Sequence, residues 1–185
     1  MALLILISIN TTEAKTITVA DIRGADYSRI QNAIDNAQSG DTILVQNGNY
    51  FENLSIDKSL IIKGLSVGEE KPLIYEKKRD TTVVILADNV TLDGFRITNS
   101  DRIRGKGILV LGKNSVIRNN SIWNNIIGII LRNSRNNTIF SNTVSNSVQS
   151  IIIEYSDNNL LSDNILSKNT GGIYLDFSSN NIIKS

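Results

Sequence analysis

Arg132, Glu154 and Asp176 follow one another at equal intervals of 22 residues. If that interval is one turn of a repeating coil, the three side chains stand in one column, about 5 Å apart by the spacing of β-ladders. Two carboxylates at such a separation can share a Ca²⁺ ion, or divide acid and base work on a glycosidic bond. Glu154 and Asp176 are therefore the candidate catalytic and calcium-binding residues, with Arg132 as the neighbouring cation. An exposed column in which Arg132 offsets Glu154 explains the same spacing without chemistry. A second charged group comprises Asp101, Arg102, Arg104 and Lys106 with Asp93 beside them, and it reads either as a binding loop or as a solvated one. A third candidate is apolar. Ile130, Ile152 and Tyr174 recur at the 22-residue interval, preceded by Leu109, at a position that alternation points outward, with Tyr155 and Phe177 close by. An outer apolar strip marks a ligand or partner surface, and aromatics there suit sugar rings. A covering loop or a further domain is the other reading of the strip.

Composition removes several alternatives. The chain has no histidine and no cysteine, and its one methionine is Met1. Zinc and copper sites built on imidazole, thiolate or thioether have no ligands here. Ser-His-Asp and Cys-His catalysis are excluded for the same reason, and stability without disulfides must come from packing and hydrogen bonds. The 19 basic and 18 acidic residues leave a net charge of +1, and the basic residues form no run. Neither nucleic acid nor an anionic membrane is an expected partner, whereas a polysaccharide or surface glycan is. Residues 1–14, MALLILISINTTEA, join a short apolar run to polar residues and end in a small one. They read as a truncated secretory signal lacking its basic n-region, with an N-terminal strand or cap as the alternative. The run is too short to span a bilayer as a helix. The expected location is extracellular or at the cell surface, with residues 15–185 as one domain. Asn53, Asn89, Asn119 and Asn136 open Asn-X-Ser/Thr triplets, which permit glycosylation outside the cell.

The interval of 22 belongs to the chain at large. The units 114–135, 136–157 and 158–179 align without a gap, and NNIIKS begins a fourth. Apolar columns appear at Ile117, Ile139, Leu161 and Ile183, at Ile122, Val144 and Leu166, at Ile129, Ile151 and Ile173, and at Leu131, Ile153 and Leu175. Each unit thus holds three short stretches of period two, cut by Asn, Ser or Gly, and none is long enough for a helix. That pattern predicts a parallel β-helix of about six coils in which identical positions stack into a core. Asn114, Asn136, Asn158 and Asn180 are expected at one corner and Asn120, Asn142 and Asn164 at another, because Asn tolerates left-handed backbone and its amide bonds the next coil. A leucine-rich repeat would need Asn where Ser134, Ser156 and Ser178 stand, and is set aside.

Earlier turns are less regular. Leu92 and Ile117 are 25 residues apart, which places three extra residues within 101–106. Residues 42–64 read as the first full coil, and the charged segment 65–80 as a protruding loop with a strand near Leu73–Tyr75. Before them, residues 26–40 put Ile30, Ala33, Ile34 and Ala37 on one helical face, stopped by Gly40, so an N-terminal helix caps the solenoid. The opposite end shows no such cap, and another domain or chain is expected to pack there.

These segments resemble the NosD-type right-handed β-helix proteins of the pectin-lyase-like superfamily, a group with many archaeal surface members. KTITV and ADYSRIQNAIDNAQSGDTILVQNGNYFENLSIDKSLIIKG are similar to the family's cap and first coil, and the NNxI…GIxL…S units to its repeats, over roughly residues 15–185. The resemblance implies the fold. For activity it implies little, since one fold hosts lyases, hydrolases, esterases and inert surface proteins. The copper that the family name carries finds no soft ligand in this chain beyond Met1, and no cofactor is expected, with Ca²⁺ at Glu154 and Asp176 as the alternative. The Gly-His-Gly segment of polygalacturonase-like relatives and the Gly-Asp-Val-Asp-Phe-type segment of esterase-like relatives are both missing. The expected function is therefore a non-catalytic, carbohydrate-associated or structural surface module. The alternative is a lyase or hydrolase acting on an acidic polysaccharide.

Overall fold

The computed structural model describes residues 13–21, 23–76, 81–99 and 105–185. Residues 1–12 of the expected signal segment, and Asp101, Arg102 and Arg104 of the charged loop, lie outside the described residues. Asn, Ser and Gly cut the apolar stretches into strands of two to six residues. Strands this short cannot form hairpins with a useful core, and beyond the leading strand each pairs in parallel with the strand one turn away. Three sheets result, of eight, six and six strands. The first runs from Thr16–Val19 to Ile182–Lys184, the second from Asn49–Tyr50 to Ile165–Ser167, and the third from Leu54–Ile56 to Gly171–Asp176. Six complete three-stranded turns lie between the two end strands of the first sheet, in line with the six coils expected.

In the regular turns the four apolar columns pair in register, for example Ile117 with Ile139 and Leu161, and Ile129 with Ile151 and Ile173. Most of these side chains are fully buried in one continuous core. Each contributes roughly 1.5–3 kcal/mol of burial against the entropy of ordering the chain. The Gly of GIxL has a packing cause: a Cβ at Gly128 would overlap Val144 and the Ser150 carbonyl of the next turn.

The corners divide their work between adjacent residues. Asn114, Asn136, Asn158 and Asn180 hold the left-handed position, with φ between 54° and 59°. Their side chains lie at the surface and their backbone N–H groups reach the next turn, Asn114 to Arg135 O, Asn136 to Asp157 O and Asn158 to Ser179 O. The side-chain bonds between coils come from the buried residue that follows. Ser115 N–H donates to Asn137 Oδ1, Asn137 to Asn159 and Asn159 to Asn181, each at 2.9 Å. At the second corner Asn120 donates from both N and Nδ2 to Asn142 Oδ1 at 3.1 Å, and Asn142 N–H donates to Asn164 Oδ1 at 3.0 Å.

The cap is shorter than the sequence implies. Its helix spans Ile30–Asn36, because Ala37 is already extended (φ −72°, ψ 159°). Ile30, Ala33 and Ile34 close the first turn, and the Glu52 carboxylate accepts from Ile30 N–H at 2.9 Å and Gln31 N–H at 3.0 Å. The insertion before Lys106 is also redistributed. Arg96 to Ile108 spans twelve residues where Ser121 to Ile129 spans eight, while Ile108 to Ile117 spans nine where Ile129 to Ile139 spans ten. Four residues are gained before the third sheet and one is lost after it, which leaves the net three.

Candidate functional site

The outer side of the third sheet and the corner that follows it bring the first and third sequence candidates together. Strands Ile127–Arg132, Gln149–Glu154 and Gly171–Asp176 pair so that Arg132 lies opposite Glu154, and Glu154 opposite Asp176. Arg132 Nε donates to Glu154 Oε2 at 2.7 Å, and both side chains are partly open to solvent. Among the described residues no three His, Cys, Asp or Glu side chains converge. A Ca²⁺ ion here would therefore have Glu154 and Asp176 as its only carboxylates, with the other oxygen ligands of its shell coming from water or a bound molecule.

The outer apolar column departs from expectation. Leu109, Ile130, Ile152 and Tyr174 are in register, but Ile130 is fully buried and Leu109 and Ile152 are half-buried. Ile130 is flanked at ladder spacing by Leu109 and Ile152, which contribute to its cover. It offers nothing to a ligand, and the open part of the column is Tyr174, 53% exposed.

Tyr155 and Phe177 stand one turn apart at the corner after these strands. Their rings are parallel within 4° with centroids 5.1 Å apart, and they are 56% and 75% exposed. Both residues are left-handed, at φ 48° and 43°, in a column that the preceding turn fills with Asn133 at φ 49°. Bulky side chains avoid this region because Cβ meets the following carbonyl. Tyr155 also lines a hollow of about 260 Å³ with Lys113, Asn133, Arg135 and Asp157, which present a cation pair, an amide and a carboxylate beside the ring.

Asp93 belongs elsewhere. It is buried on the first sheet, where Arg118 Nη2 and Nε approach its Oδ2 at 2.9 and 3.0 Å and Asn119 Nδ2 donates to Oδ1 at 2.9 Å. Lys106 opens a strand of the third sheet, Lys106–Val110. Asp93 and Lys106 thus serve different sheets and do not form one site. Their separation in space follows from the intervening second-sheet strand, Arg96–Asn99.

Two features escaped the sequence reading. Arg118 lies over the Phe140 ring at 5.9 Å, a pairing that the 22-residue register could have flagged, and Arg96 lies diagonally over Trp123 at 5.5 Å, two positions past its register partner Ser121. A polar groove of about 410 Å³ runs along Asn124, Asn146 and Lys168 at the other edge of the third sheet. Asn125 lines it, buried, and its Oδ1 has no hydrogen-bond partner among the described residues. Lysine replacing Asn in that corner column was the available signal. Near the cap, burial and then the charges of Glu52 and Asp21 push the Tyr50 hydroxyl above its ordinary 10.0. It donates to Gln46 O at 2.9 Å and is a structural group.

Comparison with known proteins agrees with this geometry. Residues 30–185 match the family described as periplasmic copper-binding protein (NosD). A cell surface glycoprotein of Methanothermus fervidus is 31% identical over 137 residues, covering 69% of this chain and 20% of that protein. The chain therefore spans about a fifth of that relative's length. Among solved structures, a pectin methylesterase in complex with a hexasaccharide superposes with a TM-score of 0.55 at 14% identity, over 85% of this chain and 67% of the other. The pectin methylesterase from Aspergillus niger gives 0.55 at 12% identity, over 92% and 86%. At such identities the likeness is one of fold alone.

Proposed function

The chain belongs to the NosD family of parallel β-helix proteins, and on that premise we propose that it is an exported surface module that binds carbohydrate at its aromatic corner without cleaving it. The periplasmic description of the family and the cell-surface name of the Methanothermus relative both support a place outside the cytoplasm. Among the described residues no helix is long and apolar enough to cross a membrane.

One observation carries the binding reading. Tyr155 and Phe177 occupy left-handed backbone at a cost of about 1–3 kcal/mol each, and neither ring is buried in return. Asn133 shows that the corner itself does not call for an aromatic. The stacked rings spend one face on each other and leave the outer face of each open to the C–H face of a pyranose, and the neighbouring Lys113, Asn133, Arg135 and Asp157 can hydrogen-bond its hydroxyls.

The second reading, a lyase or hydrolase of acidic polysaccharide, is favoured by the register of Glu154 with Asp176. Against it, the carboxylate of Glu154 is already held by Arg132. Copper does not fit the donors present: there is no imidazole or thiolate and a single thioether at Met1. No step is assigned to it.

Calorimetric titration with neutral and acidic oligosaccharides, with and without Ca²⁺, tests the proposal. Saturable binding is expected, weakened about tenfold, or about 1.4 kcal/mol, by Phe177→Ala and unchanged by Glu154→Gln, with no cleavage products. Cleavage that Glu154→Gln abolishes would establish the enzyme instead. Failure to bind any glycan would leave a structural coil.

A further inference from the structure

Four Asn-X-Ser/Thr triplets fall within the described residues, at Asn53, Asn89, Asn119 and Asn136, and a fifth, Asn10-Thr11-Thr12, lies outside them. The fold does not treat the four alike. Asn89 and Asn136 occupy the same corner two turns apart, since Thr91 pairs with Val116 and Val116 with Thr138. Both are exposed and left-handed at φ 59°. Each is followed by a buried residue, Val90 or Asn137, and then by the half-buried, outward Thr91 or Thr138 that opens a first-sheet strand. Neither carboxamide donates to a described residue.

Asn119 is the internal control. It shares the exposure and the backbone, at φ 54°, and is followed by buried Asn120 and half-buried Ser121. Its Nδ2 is nevertheless spent on Asp93 Oδ1 at 2.9 Å, a charge-assisted hydrogen bond inside the Arg118–Asp93 cluster. Asn53 Nδ2 donates to Thr81 O at 2.7 Å.

We propose that Asn89 and Asn136 are the N-glycosylation sites of the chain, and that Asn53 and Asn119 are structural asparagines despite their triplets. The co-reactant is an oligosaccharide carried on a polyprenyl phosphate or diphosphate, transferred by an oligosaccharyltransferase. Nδ2 bonds to the anomeric carbon, the bond from that carbon to the phosphate oxygen breaks, the phosphate leaves with the electron pair, and Nδ2 gives up one proton. A glycan on Asn89 or Asn136 projects from the corner and displaces no hydrogen bond. On Asn119 it would draw the amide off a buried carboxylate. Asn114 and Asn158 share the corner but carry Val116 and Leu160 where the hydroxyl is required. Acceptors therefore fall on alternate turns, about 10 Å apart by ladder spacing, which leaves room for each sugar chain.

In the native cell this modification rests on the exported reading above. The test removes that dependence by imposing export: the full chain is secreted behind a host signal from a glycosylating yeast, with a known glycoprotein as control. Release by peptide N-glycosidase in heavy-oxygen water marks each occupied Asn for mass spectrometry, with the Asn10 peptide read separately. Asn89 and Asn136 are expected to be occupied, with several-fold lower occupancy at Asn53 and Asn119. Thr91→Val should empty Asn89 and Thr138→Val should empty Asn136. Valine keeps the fold there because Val116 fills the same column. Equal occupancy at Asn119 and Asn136, or bare Asn89 and Asn136 in a secreted chain whose control is glycosylated, overturns the assignment.

Discussion

Two corners of the coil share a backbone and differ in what stands on it. Along Asn114, Asn136, Asn158 and Asn180, every turn places Asn in the left-handed position that Asn tolerates best. Along Asn133, Tyr155 and Phe177 the dihedral hardly changes, yet two aromatic rings replace the amide and remain exposed. The first corner obeys local propensity and reports on folding. The second violates it with no gain in burial, and a violation of that kind points to selection for binding.

The comparison can be broken first at its structural side. Asn142→Ala should have the largest effect, a loss of about 3 kcal/mol, because it leaves buried groups without partners. The lost bonds run to Ile117 O, Phe140 O and Asn164 Oδ1 and from Asn120. Denaturant unfolding measures it, and glycan affinity should not follow. Asn158→Ala should cost less, about 1 kcal/mol, since only the left-handed preference is removed. A loss as large as that of Asn142→Ala would mean that the two positions do not divide their work as described.

A gentler effect separates the cap from the coils. Gln38 N–H, then Lys15 N–H, hold the Asp41 carboxyl below its ordinary 3.8. A lowered carboxylate contributes stability that is present above its unfolded value and lost as pH falls through the folded one. Protection of the amides of residues 30–37, taken relative to their intrinsic exchange rates, should therefore fall as pH drops below about 3.8, ahead of the 137–159 column, and Asp41→Asn should remove that difference.

The core was legible in the sequence because Ile117, Ile129 and their repeats recur at a fixed interval, and stacking follows from recurrence alone. Glu154 opposite Asp176 was legible for the same reason. The burial of Ile130 was not, because alternation gives the direction of a side chain but not what covers it. The Asp93–Arg118 pair was hidden by the insertion, which changes their spacing to 25 and obscures the column. The strain at Tyr155 and Phe177 could not be read from letters, although their replacement of Asn133 in the column was visible. The division between the left-handed Asn136 and the hydrogen-bonding Asn137 needed dihedral angles, since both are Asn.

The double variant Tyr155→Asn/Phe177→Asn, which returns the second corner to the residue of Asn133, measures strain and function in one molecule. Its unfolding free energy should rise by about 1 kcal/mol, as relief of left-handed strain exceeds the lost ring stacking, while glycan binding disappears. A variant that is less stable and still binds would show that the aromatic corner serves packing and not recognition.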